Sequence, residues 1–203
     1  MRKIEKKPQR HKEAIMPDRY TPVAIALHWI IAALIIFMLG LGFLMEDFPQ
    51  EIRGAAYGLH KSTGLSILLL TFVRIAWRLG HKAPPLPAGT KPIEALIARA
   101  LVVGFYILMI TLPMSGWALS SANPKGYPIN WFGLFDWPFL PVLSTLDIET
   151  KKEVAHSISE AHETMAAAMI GLLALHVAAA LKHHFILKDD VLTRMLPFLK
   201  PLK

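Results

Sequence analysis

Four histidines, His28, His60, His162 and His176, stand inside long apolar segments. Ionisable side chains at such positions are costly and mark a function. His162 and His176 are fourteen residues apart, almost four turns of an α-helix, with about 21 Å of rise and the side chains returned to nearly one face. A neutral imidazole offers a nitrogen to a metal, and two histidines from different helices can hold one haem iron from both sides. Four histidines stacked in two layers would hold two haems.

The elements that must position them are membrane helices. The chain has 203 residues, 54% hydrophobic and only 18% charged, with a mean hydropathy of +0.42, the balance of an integral membrane protein. Four apolar stretches, 21–45, 57–79, 97–119 and 159–181, are each long enough to cross the roughly 30 Å hydrocarbon layer. The sequence thus predicts an all-α, up-and-down four-helix membrane bundle. With no cysteine in the chain, structural disulfides and covalent c-type haem attachment are excluded, so the two b-type haems would be bound non-covalently.

The net charge of +7 is distributed for topology, not for nucleic acid. Cations crowd the tail (Arg2, Lys3, Lys6, Lys7, Arg10, Lys12, then Arg19), the second connection (Arg78, Lys82, Lys91, Arg99) and the C-terminal end (Lys182, Lys188, Arg194, Lys200, Lys203). The first and third connections mix Arg53, Lys125, Lys151 and Lys152 with seven acidic residues. The positive-inside rule puts both termini in the cytoplasm. Residues 1–18 form a basic cytoplasmic tail, 19–190 the membrane domain and 191–203 a C-terminal cytoplasmic tail. The tail is too charged, and the next span too long, for a cleaved signal peptide. The third connection, about 120–157, interleaves Pro124, Pro128, Pro138 and Pro141 with Trp131, Phe132, Phe135, Trp137 and Phe139, and is expected to be a periplasmic cap against the membrane surface.

Depth then pairs the histidines. His28, early in an outward helix, and His176, late in an inward one, share the cytoplasmic half, whereas His60 and His162 share the outer half. Arg74, fourteen residues after His60, returns to that face at the cytoplasmic level, where its guanidinium fork suits a haem propionate. Gly42, fourteen after His28, leaves room for a flat macrocycle or a close helix contact. Counted back from His176, position 162 falls about 40° off its face and 156 about 160° off, so His156 is assigned to the surface. His183 suits a quinone or propionate contact, or a plain interfacial place. His184, His81 and His11 lie in basic flanks and are expected to be solvated. The third span has no histidine and is expected to be scaffold.

The strings RYTPVAIALHW (19–29), LHKSTGLSILLLTFVRIAWRL (59–79), FYILMITLPMSGW (105–117) and AHETMAAAMIGLLALHVAAALKHHFILKDD (161–190) resemble the four spans of the bacterial b561-type cytochrome b family. The resemblance covers about 19–197, with a long basic tail and the additional His156 as departures. It implies a di-haem protein of the bacterial inner membrane that exchanges electrons with quinone. His28, His60, His162 and His176 match the family's axial ligand positions.

Some relatives are similar to superoxide:ubiquinone oxidoreductases, and others serve as haem-bearing subunits of larger assemblies. The expected activity is therefore oxidation of periplasmic superoxide and reduction of ubiquinone, an enzyme embedded in membrane lipid. Arg53, Lys61, Lys151 and Lys152 are the candidate cations to attract superoxide. The alternative is electron passage between quinone and a partner redox protein docked on the cap. A metal or proton transporter, the competitor from another class, normally combines histidines with carboxylates, and the spans carry only Glu160 and Glu163, at the outer end.

Overall fold

The computed structural model describes residues 19–87, 89–196 and 198–199. Four of its helices are long and apolar enough to cross a membrane. Helix α1 (Pro22–Leu44) starts with Pro22 in its first turn and the Thr21 hydroxyl accepting from the Ala24 N–H at 3.3 Å, a proline and a polar cap where a helix tolerates them. Helices α2 (Gln50–Gly80) and α3 (Pro92–Ala122) follow. Pro113 lies inside α3 without ending it, because in a packed membrane helix neighbouring groups can satisfy the freed carbonyl.

Two antiparallel strands, β1 (Ile129–Trp131) and β2 (Phe135–Trp137), are paired with Asn130 opposite Asp136. The short α4 (Pro141–Ser144) leads to the long α5 (Ile148–Leu181), which continues as a π-helical turn over Lys182–Leu187.

Helices α2, α3 and α5 outrun the spans drawn from hydropathy. Helix α5 begins at Ile148, where the Asp147 carboxylate accepts from the Glu149 and Thr150 N–H groups. Hydropathy marks only the lipid-matched part of a helix, whereas a cap and backbone hydrogen bonding carry it on through polar sequence. The third connection is correspondingly shorter than 120–157, and its centre is a β-hairpin that sequence periodicity did not reveal. Strands of three residues are too short to show an alternation.

The connections fix which helix ends meet. The Arg74 guanidinium donates to the Ala24 carbonyl at 3.1 Å, and the Trp77 indole donates to the Thr21 hydroxyl at 2.9 Å, so the end of α2 lies beside the start of α1. The Lys182 ammonium reaches the Glu94 carboxylate at 3.2 Å, placing the end of α5 beside the start of α3. The chain after α5 returns over this same end: the Trp29 indole donates to the Met195 carbonyl at 2.8 Å, and Arg194 donates to the Pro85 carbonyl. The hairpin lies at the opposite end, against the early part of α2.

The centre of the bundle takes one contribution from each long helix: Ile31 and Ile35, Ile67, Met109, and Met169, which is 1% exposed. Outward faces carry Ile36, Phe43, Phe72, Val103, Ile107, Leu175 and Val177. Such a surface is unfavourable in water and ordinary against lipid tails.

Candidate functional site

The structure brings the four histidines together as two pairs. His28 of α1 faces His176 of α5 with ring centroids 6.1 Å apart and planes at 65°; His60 of α2 faces His162 of α5 at 6.2 Å and 59°. The pairs lie at opposite ends of the bundle, and Met169, seven residues from each α5 histidine, plugs the space between their levels. Neither pair is hydrogen-bonded ring to ring, and the His28 and His176 rings meet edge-on. An imidazole nitrogen binds a first-row metal at about 2.0–2.1 Å, so two such bonds plus a ring radius at each end set centroids about 6 Å apart. The pairs therefore fit iron ligated from both sides.

Around the first pair, the Phe105 ring meets His176 edge-on at 5.4 Å and the Trp29 ring meets His28 at 5.2 Å. Arg74 hydrogen-bonds the carbonyl of Ala24, one turn before His28, and borders a small cavity with Tyr20, Thr21, Trp77 and Tyr106. The buried Tyr106 hydroxyl has no partner among the described residues. A guanidinium and an unsatisfied phenol lining one cavity suit a carboxylate such as a haem propionate.

At the second pair, the Ser115 hydroxyl lies 2.8 Å from His162 Nδ1 and donates to the Leu112 carbonyl at 2.7 Å. Gly42 and Gly116 flank the pair. A Cβ on Gly42 would stand 3.4 Å from His60 Cε1, and one on Gly116 the same distance from His162 Cε1. Gly42 thus approaches an imidazole edge. Helix α3, expected to be scaffold, supplies Ser115 and Gly116 to one pair and Tyr106 and Phe105 to the surroundings of the other. A serine or tyrosine in an apolar span gives no periodic signal, and only the packing shows where its hydroxyl points.

The other histidines divide. His156 is exposed and 3.5 Å from the Glu160 carboxylate, a surface residue as expected. His183 Nδ1 pairs with the Asp189 carboxylate at 2.5 Å, so a carboxylate of its own chain occupies one of its nitrogens. His81 is exposed and stacks on Trp77 at 4.0 Å.

His184 departs from expectation: it is buried, 8% exposed, not solvated. The π-helical turn and the return of the C-terminal segment pack this stretch against the bundle where the flank was expected to lead into water. His11 and the basic residues of 1–18 lie outside the described residues. Of the cations considered for attracting superoxide, Arg53 is bonded to the Phe48 carbonyl and Lys152 to Glu149. Lys61, next to His60, is half-buried.

Four membrane-spanning helices with histidines paired between them define a membrane electron-transfer protein built to carry b-type haem. The model for prokaryotic cytochrome b561 matches residues 19–198, and the chain belongs to that family. It is 34% identical over 183 residues to cytochrome b561 homolog 2 of Escherichia coli, covering 89% of this chain and 92% of that protein. Cytochrome b562 of Cereibacter sphaeroides is 31% identical over 184 residues, 87% and 94% of the two chains. The probable superoxide oxidase CybB of Yersinia pestis is 28% identical over 182 residues, 90% and 98%. The chain is accordingly a bacterial multi-pass membrane protein that binds b-type haem and transfers electrons.

Proposed function

We propose that the chain binds two b-type haems, one between His28 and His176 and one between His60 and His162, and uses them to oxidise superoxide on the periplasmic side and reduce ubiquinone in the membrane. The observation that carries this reading is the pair of histidine pairs, each at the separation iron requires and at opposite ends of one bundle. Bound haem supplies reversible one-electron chemistry, and the protein tunes it through ligation, hydrogen bonding and burial. Overall, two superoxide ions give two dioxygen molecules and two electrons, and one quinone takes those electrons with two protons to become quinol.

The residues divide this work by position. The clustering of Arg78, Lys82, Lys182, Lys188 and Arg194 supports a cytoplasmic location for the His28–His176 end. There Arg74 and the Tyr106 hydroxyl would hold a propionate, Phe105 and Trp29 restrict the two imidazoles, and the buried aliphatic core keeps water from the path between the pairs. At the hairpin end Lys61 lies beside His60, within reach of a small anion approaching that site. Superoxide as donor is supported by the similarity to the probable superoxide oxidase of Yersinia pestis.

A second reading changes only the donor. The hairpin exposes Phe132, Leu134 and Phe135 beside Tyr127, an apolar aromatic patch suited to docking a redox protein. One experiment tests both readings. Purified protein is quantified for haem and then offered superoxide with a short-chain ubiquinone. Two haems per chain and quinol formation that is lost in His60→Ala are expected. Two haems that stay oxidised under superoxide would shift the donor to a partner protein, and fewer than two in the wild type would overturn the paired-site reading.

A further inference from the structure

We propose that Ser115 is a positioning residue that fixes the His162 imidazole in the tautomer able to bind iron and lowers the reduction potential of the hairpin-side haem relative to the other. The inference rests on the reading of His162 as a haem ligand. Its starting point is proton accounting. A serine hydroxyl has one proton and two lone pairs. The Leu112 carbonyl, 2.7 Å from Ser115 Oγ, can only accept, so it takes that proton. The hydroxyl then turns a lone pair toward His162 Nδ1 at 2.8 Å, and the imidazole must donate. With its proton on Nδ1, the ring keeps the lone pair of Nε2 free for metal. Were the serine to donate to Nδ1 instead, the neutral ring's proton would sit on Nε2 and block ligation there.

The relay from imidazole N–H to hydroxyl to backbone carbonyl also polarises the ring. Giving the N–H to an acceptor makes the other nitrogen more basic, and a more basic ligand favours the ferric over the ferrous state. Among the described residues the other three paired histidines lack this device. His60 Nδ1 is buried without a partner, and among the described residues neither His28 nor His176 has a hydrogen-bonded ring nitrogen. The hairpin-side haem therefore takes the lower potential, which makes transfer from the His60–His162 site to the His28–His176 site energetically downhill. Helix α3 supplies the relay because Ser115 lies three residues beyond Leu112, the spacing at which a helical serine bonds back to its own backbone.

The test is a spectroelectrochemical titration of wild type, Ser115→Ala, Ser115→Thr and Ser115→Cys, with haem content and the low-spin EPR signal recorded for each. Ser115→Ala is expected to keep both haems and to raise one potential only. The ferric-to-ferrous ratio of that haem should fall about tenfold at fixed ambient potential, a shift of about 59 mV for one electron. Ser115→Thr, which retains the hydroxyl, should lie close to wild type, and Ser115→Cys, a weaker partner, in between.

Two unchanged potentials in a fully loaded Ser115→Ala protein would overturn the proposal, as would a threonine variant shifted as far as the alanine one. If Ser115→Ala loses a haem, the Cys and Thr variants decide by the same ordering. A wild type lacking the second haem would instead overturn the ligand assignment, and a haem count separates that outcome from the others.

Discussion

Among single residues, Ser62 connects the cap to the site. It is 2% exposed, its hydroxyl donates to the Asn130 carbonyl at 3.0 Å and accepts from the Phe132 N–H at 3.3 Å, and it lies two residues after His60. Phe132 has a φ of 50°, a left-handed conformation that a bulky side chain adopts at a cost and keeps only when neighbours hold it. Trp131 adds a second tether through its indole to Ser66 at 3.2 Å. Replacing Ser62 with alanine removes both of these part-buried hydrogen bonds, a loss of about 1–3 kcal/mol for the two together. Hydrogen exchange should show residues 129–137 opening more readily by that amount, while the helix cores keep their protection.

Among the elements, α5 does most of the positioning, since it carries one histidine of each pair. Its N-terminus is set by Asp147, whose carboxyl is held below its ordinary value of 3.8 mainly by the hydrogen bond from the Thr150 hydroxyl and then by the Thr150 N–H. A carboxyl depressed in the folded state stabilises it above the unfolded pKa, and that contribution is lost as pH falls through the lower folded value. The first turn of α5 should therefore fray as pH drops below about 4. In Asp147→Asn, which still caps but does not titrate, exchange at residues 149–151 should lose this pH dependence.

Midway along the same helix, Met169 fills the centre of the four-helix core. Lipid is as apolar as that core, so the transfer term is small in a bilayer and the cavity term dominates. Met169→Ala should cost about 2 kcal/mol, the low end of the soluble range, seen as a lower Tm in detergent. Haem content should persist because the ligands lie two turns away on either side.

For the whole molecule, antiparallel contacts between α1 and α2 and between α3 and α5 put the starts of α1 and α3 at one end, together with the segment 190–196. The cations of the second connection gather at this end with Lys182, Lys188 and Arg194, and we expect it to face the cytoplasm. A C-terminal fluorescent-protein fusion should be bright and a C-terminal alkaline phosphatase fusion inactive, whereas a phosphatase inserted in the 123–128 loop should be active. The reverse pattern would invert the proposed direction of electron flow and leave the histidine geometry untouched.

The four spans, the membrane class and the level of each of the four paired histidines along the bundle were legible in the sequence because they depend on hydropathy and on a 3.6-residue period, which are properties of one helix at a time. Even the separation of two levels followed from the fourteen-residue step between His162 and His176. The tertiary structure decided what depends on two segments meeting: the Ser115 hydroxyl against His162, the Tyr106 phenol beside Arg74, the hairpin pinned by Ser62, the burial of His184 and the coupling of His183 to Asp189. Each of these depends on a neighbour that stands at no fixed spacing in the chain. That neighbour is selected by packing, which a one-dimensional pattern does not carry.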